Sequence, residues 1–174
     1  LGDTNQPGRL YRSKLRAPEQ WPAADYKDVS PAADPLQNGG QWTTGGFIFS
    51  HQRLYRILIA ADGEWTTEPT ECAEGLVGRW ALAVTPYGIA FVSPFGVRLT
   101  QGGAPQMISD EQLGRVFRGE TVNGFLPIDY TTQQAPQLEY ADDELWLTYA
   151  DSGGTRRQWI YSFKDQTWRN YLFC

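Results

Sequence analysis

Histidine occurs once, as His51, methionine once and cysteine twice. A single histidine excludes any centre built on two imidazoles. Cys72 and Cys174 stand about a hundred residues apart and make no C-x-x-C or comparable ligand spacing. No metal or cofactor is expected. The spacing does not decide whether the two cysteines pair, so the redox compartment stays open. Long apolar runs are missing too: none approaches the roughly 18 residues that a membrane-spanning helix needs. Leu1 to Arg9 lacks the basic-then-apolar order of a signal peptide. Basic clusters are equally scarce. The chain carries 15 Lys and Arg against 20 Asp and Glu, a net charge of −5. Its densest basic pair is Arg156-Arg157, and Arg53 and Arg56 fall on opposite faces of a strand. A tightly bound nucleic acid requires a basic face or stripe, so that class of partner is disfavoured.

Helical periodicity is the last scarcity. One short helix is expected, from Asp110 to Phe117, with Ser109 as N-cap and Gln112 completing a capping box. Gly114 inside it weakens the helix. Elsewhere apolar runs of four to eight residues, rich in β-branched and aromatic types, alternate with Gly, Pro, Asp and Asn. Eighteen Gly and eleven Pro supply the punctuation, and seven Trp, nine Tyr and eight Phe supply bulk for a core. With 174 residues the chain fits one ordinary domain. It begins at Leu1 without Met and stops inside the aromatic run Trp168–Cys174, which gives it the look of an excerpt from a longer or processed chain.

Three stretches share one hairpin pattern. Gly46–Ser50 turns at His51-Gln52 into Leu54–Ile59. Gly88–Ser93 turns at Pro94-Phe95 into Gly96–Thr100. Glu144–Tyr149 turns around Asp151–Gly154 into Gln158–Phe163. In each, the first strand reaches a hydroxyl residue at or just before the turn. Ser50 to Ser93 is 43 residues and Ser93 to Thr148 is 55, the extra length falling where the helix sits. Strand-like segments precede the hairpins at Gln41–Thr44, Trp80–Val84 and Gln137–Tyr140, and follow them at Glu64–Thr67, Gln106–Ile108 and Thr167–Tyr171. Four strands recurring every 40–50 residues are the signature of propeller blades. The fold expected is therefore all-β: β-propeller-like repeats of four-stranded blades, about three full and one partial, with one short helix. The partial blade takes residues 1–36, and full blades take 37–75, 76–118 (helix at its end) and 119–174. A β-sandwich is the competing architecture. Three and a part are too few for a closed ring of four to eight blades, so the rest must come from elsewhere in the polypeptide or from other copies.

The phrases Gly8–Ser13, Pro18–Ala24, Phe49-Ser50 with Leu54–Ile57, Gly88–Val97 and Ile108-Ser109-Asp110, in that order, resemble the propeller region of tail nozzle or tail hub proteins of short-tailed bacteriophages. The resemblance covers residues 8 to 120. It implies a structural virion component in the phage tail, forming an oligomeric ring through which the genome passes, and no catalytic residues. Its partners would be copies of itself, other tail proteins and DNA in transit. The chain is too short to contain the whole of such a protein.

Residues with chemical potential are few. His51 reads as a solvated turn residue. Asp142-Asp143-Glu144 and Asp62-Gly63-Glu64 could serve as paired acids for glycoside hydrolysis, but Asp and Gly in such settings ordinarily make turns. Asp142-Asp143 as a Ca²⁺ site lacks any regular ligand spacing. Gly39-Gly40, Gly45-Gly46, Gly102-Gly103 and Gly153-Gly154 take different places in each unit and read as turns. Trp80, Trp146 and Trp159 lie in apolar runs and are expected in the core. Trp21 and Trp65 are the expected surface aromatics, giving with Asp142 and Asp143 a candidate aromatic and acidic patch for a glycan. Two functions are carried forward. The first is the phage tail conduit, with an acidic lumen that repels DNA phosphates. The alternative is a secreted or cell-surface propeller that binds or cleaves carbohydrate.

Overall fold

The computed structural model describes residues 5–14, 16–43, 45–109, 111–130 and 135–171. Asp110, Cys174 and the side chain of Gln112 lie outside the described residues, and with them the capping box and the question of a Cys72–Cys174 bond. Among the described residues there are fourteen strands and one helix. β1 (Arg9–Tyr11) and β2 (Tyr26–Asp28) form a two-stranded antiparallel unit. Three four-stranded antiparallel sheets follow, each a simple meander. The first contains β3 (Leu36–Trp42), β4 (Gly45–Ser50), β5 (Leu54–Ile59) and β6 (Trp65–Pro69). The second contains β7 (Leu82–Thr85), β8 (Gly88–Ser93), β9 (Gly96–Thr100) and β10 (Gln106–Met107). The third contains β11 (Gln137–Ala141), β12 (Glu144–Ala150), β13 (Arg156–Ser162) and β14 (Thr167–Tyr171).

The all-β reading and the three hairpins hold, and the strand limits show what the residues demand. Short β-branched and aromatic runs can bury only alternate side chains against one neighbour. β12 obeys this, its side chains alternating between half-buried and buried along most of its length. β8 does not, for all six of its residues are buried. The second sheet is covered on both faces. Phe91 packs on Phe49 of the first sheet with ring centroids 4.8 Å apart. Ala90 and Val92 point the other way, toward the third sheet, in a core shared with Leu145, Leu147 and Trp159.

Neighbouring sheets approach each other chiefly through their first strands, β3 against β7 and β7 against β11. Each of these is an edge strand of its sheet. The amide of Asn38 donates to the Arg79 carbonyl (2.7 Å), and the Leu138 N–H donates to the Trp80 carbonyl (2.9 Å). The approach requires glycine: a Cβ on Gly40 would lie 2.8 Å from Val84 Cγ2. Gly39-Gly40 and Gly45-Gly46 are strand residues and not turns, a correction with a physical cause: within the first sheet a Cβ on Gly39 would lie 2.6 Å from the Phe47 carbonyl oxygen, and ones on Gly45 and Gly46 would crowd the Phe47 and Ile57 side chains. Gly102-Gly103 and Gly153-Gly154 do lie outside the strands.

The hydroxyls at the strand ends hold the turns. Thr85, Ser93 and Thr100 each accept from the N–H two residues on and donate to the carbonyl three residues on. Ser50 accepts from the Arg53 N–H (2.9 Å) and donates to buried Asp34 (2.7 Å). In the third sheet Thr148 lies within β12, and the carboxylate of Asp151 takes over the role at the turn. Helix α1 (Glu111–Phe117) buries Leu113, Val116 and Phe117 and touches β9. It ends in a Schellman arrangement, with Gly119 at φ +85° and Glu120 N–H bonding back to the Arg115 carbonyl.

Because Phe91 joins two sheets and has no exposed surface, Phe91→Ala should cost about 3–5 kcal/mol. Urea denaturation followed by tryptophan fluorescence checks this. A loss near 1 kcal/mol would mean that the sheets do not depend on this contact.

Candidate functional site

The acidic pair singled out by sequence proves to be a turn. Asp142 and Asp143 have φ of +51° and +65° and link β11 to β12 through the directly opposed pair Ala141 and Glu144. That is the two-residue hairpin loop in which both central residues are left-handed, a conformation Asp tolerates. Asp143 is also engaged. Its Oδ1 accepts from the Tyr87 hydroxyl (2.8 Å) and the Tyr140 hydroxyl (3.2 Å). Tyr87 stacks on Phe163 at 4.3 Å, so the turn of the second sheet is clasped to the third. The Asp143 bond raises the Tyr87 phenol above its ordinary pKa, with partial desolvation adding to it. For Tyr140 desolvation comes first and the Asp143 bond second.

Trp21 is exposed, on the loop between β1 and β2. Trp65 is not a surface residue. It is buried, its indole N–H donates to Asp25 (3.1 Å), and Arg12 lies over its ring. The β1–β2 unit covers it, a long-range contact that the neighbouring Glu64 could not reveal. Trp80 departs in the opposite sense: it stands 63% exposed just before β7, while Trp159 is buried as expected. Trp21 and Trp65 thus belong to the N-terminal unit and the first sheet, and Asp142 and Asp143 to the third. They do not form one surface patch. His51 is exposed at its turn. A cleft of about 590 Å³ between the β1–β2 loop and the β5–β6 turn includes Arg12, Lys14 and Arg16 together with Asp25, Asp62 and Glu64. No group of three or more His, Cys, Asp or Glu suited to a metal occurs among the described residues.

Two features escaped the sequence reading. One is Asp151, whose side chain has no solvent exposure. Its Oδ1 accepts from the N–H groups of Gly153 (3.0 Å) and Thr155 (2.9 Å), and Oδ2 pairs with Arg157 (2.8 Å). Burial alone would raise its pKa, but these three donors outweigh burial and hold it below the ordinary carboxylate value. The other feature is the row of first strands. β3, β7 and β11 contain no Lys or Arg, and Glu139 is the one formal charge within them. Arg79, three residues ahead of β7, is the nearest cation in the chain. Gln37, Asn38, Gln41 and Gln137 give these strands an amide-rich, almost uncharged character. Only a pairing of strand order with composition reveals it. No protein-family model and no curated protein matches the chain.

Two outcomes follow. A carboxylate whose pKa is lower in the folded state contributes stability above its unfolded pKa of about 3.9, lost as pH falls through the folded value. Asp151→Asn should therefore cost about 3 kcal/mol at neutral pH, the lower end for a broken buried pair because Arg157 keeps 25% of its side chain exposed. Denaturation curves should show the gap to wild type narrowing below about pH 4, and a pH-independent gap would refute the linkage. Asp143→Asn should lower the Tyr87 pKa toward its ordinary value in an NMR pH titration. An unmoved Tyr87 would show that Asp143 does not hold it.

Proposed function

We propose that the chain is part of a phage tail conduit: a structural, non-catalytic β-propeller-like element of a ring through which DNA passes. Three consecutive meanders meeting at their first strands are the arrangement that propeller blades adopt around a channel. The observation that carries the reading is the absence of Lys and Arg from β3, β7 and β11. Adhesion to DNA comes mainly from cations that neutralise phosphates. A wall of amides and backbone edges with one carboxylate offers passing DNA little to hold. The lumen that this reading implies is near-neutral rather than acidic, because most of the chain's acids lie off these strands. The resemblance of Gly8–Ser13 through Ile108–Asp110 to tail nozzle and hub proteins supports the same reading.

Copies would meet through other surfaces. Trp80, Ile59, Trp21 and Phe95 are large apolar side chains exposed by more than half, and side chains of this kind anchor protein contacts.

Electron microscopy of the purified protein should give class averages of multi-copy rings with a central channel. In electrophoretic assays at physiological salt, wild type should not retain duplex DNA. Gln41→Lys combined with Val84→Lys should retain it, with an affinity that falls steeply as salt rises. Compact single-copy discs, or tight DNA binding by wild type, would overturn the conduit reading.

A further inference from the structure

The third sheet has a face that its two predecessors do not. Superposing the meanders on Ser50, Ser93 and Asp151 aligns the faces on which each sheet receives the next. In the first sheet that face carries Phe47, Phe49 and Leu54, and in the second Ala90, Val92 and Val97, all buried in the common core. In the third sheet the corresponding face presents Gln137, Glu139, Trp146, Thr148 and Gln158, with Tyr171 on the last strand. Ile160 and Ala150 are buried on this face, and around them stand amides, a hydroxyl and a carboxylate. Burying these polar groups under another apolar sheet would leave them unpaired, at a substantial cost. This face is built for a wet, polar occupant.

Its chemistry narrows the occupant. The Trp146 and Tyr171 rings lie 6.0 Å apart at 57°, and Tyr171 is 47% exposed. They give an angled aromatic surface amid hydrogen-bonding groups. A cavity of about 140 Å³ is lined by Gln137, Glu139, Trp146, Thr148 and Gln158, with Ala141. The Gln158 amide donates to the Thr148 hydroxyl (3.2 Å), which leaves that residue's carbonyl oxygen as an acceptor. The Trp146 indole N–H has no acceptor among the described residues. Charge at the cavity disfavours an anion: Arg169 is paired with Glu144, Arg156 stands one row beyond Gln158 and outside the cavity wall, and Glu139 places a negative charge in that wall. An aromatic surface ringed by amides and a carboxylate, with no cation in the cavity wall, matches a ligand with one C–H face and a rim of hydroxyls. From this face we infer that the third sheet binds a neutral carbohydrate, one sugar ring seated against Trp146 and Tyr171. Glu139 and Gln137 take its hydroxyls. The site shares Gln137 and Glu139 of β11 with the row of first strands and extends away from it across β12 to β14.

The test titrates the full chain, followed by NMR and calorimetry, with cellotetraose, maltotetraose and chitotetraose. Polygalacturonate serves as the anionic control. At least one neutral tetrasaccharide should bind saturably with a Kd of about 1 mM or tighter, and polygalacturonate should not. Glu139→Ala and Tyr171→Ala, both at accessible positions, should each weaken binding about tenfold, or 1.4 kcal/mol, with the melting temperature unchanged. Three results would overturn the inference. None of the neutral sugars saturates. The variants bind as well as wild type, which moves the site elsewhere. Or wild type self-associates in sedimentation velocity and Thr148→Arg disperses it, which makes the face a contact between copies.

Discussion

A four-stranded meander has two faces, and everything in this molecule follows from how those faces are covered. The second sheet is the one that both neighbours cover, and its central strand β8 is buried at every position. Phe91 faces Phe49 across one junction, and Ala90 and Val92 face the third sheet across the other. Small residues on one side and a large ring on the other let three sheets of different composition stack at close range. A twisted sheet alone cannot shield both faces from water, so the second sheet's fold depends on the first and third. The same constraint accounts for the N-terminal β1–β2 unit, which closes over Trp65 where a preceding sheet would otherwise stand.

Much of this was legible in the sequence because hairpins are local. Gly88–Ser93 and Gly96–Thr100 coincide with β8 and β9, and Ser50 and Ser93 mark turns because a hydroxyl at a strand end can satisfy the backbone groups the turn leaves open. What failed was non-local. Trp65 beside Glu64 looks exposed until Asp25, forty residues earlier, accepts its indole N–H. Trp80 sits in an apolar run yet stands outside, since the strand begins only at Leu82. Gly39-Gly40 reads as a turn by composition, but glycine within β3 answers to close neighbours, the Phe47 carbonyl of β4 at Gly39 and Val84 of β7 at Gly40. The candidate site divided along the same line. Asp142-Asp143 reads as a turn and forms one, while the residues of the polar face around Trp146 share a side only through the strand register.

Among the described residues buried polar side chains are few, and apart from Ser109 each closes a turn. Asp34 serves the first sheet through Ser50 and the Gln52 N–H, and Asp151 serves the third through Gly153, Thr155 and Arg157. The second sheet uses hydroxyls alone. The difference follows from loop length. Ser93 spans a two-residue loop, which a hydroxyl can bracket with one donor and one acceptor bond. The loop from Asp151 to Thr155 presents two N–H groups and a guanidinium to one anchor, and only a carboxylate accepts from all three. Cys72 is buried, its thiol donates to the Glu74 carbonyl (3.2 Å), and desolvation raises its pKa above the ordinary value.

The distribution of charge bears on both proposed surfaces, which share Gln137 and Glu139 of β11. The first-strand edges are almost uncharged, and the third sheet's outer face keeps Glu139 while its Arg169 is neutralised by Glu144. Cations gather instead on the N-terminal unit, where Arg9 and Arg12 are tied to Asp28 and Asp25. An acidic chain of net charge −5 could spread its carboxylates evenly, and it does not. Phosphate-bearing polymers therefore find no adhesive stripe on the edge row, and on the polar face Arg156 stands outside the cavity wall. The two surfaces differ in what remains once cations are removed. Along the edges it is backbone and amide, which suit a surface that should hold nothing. On the outer face it is aromatic rings set among acceptors, which suit an uncharged ligand rich in hydroxyls.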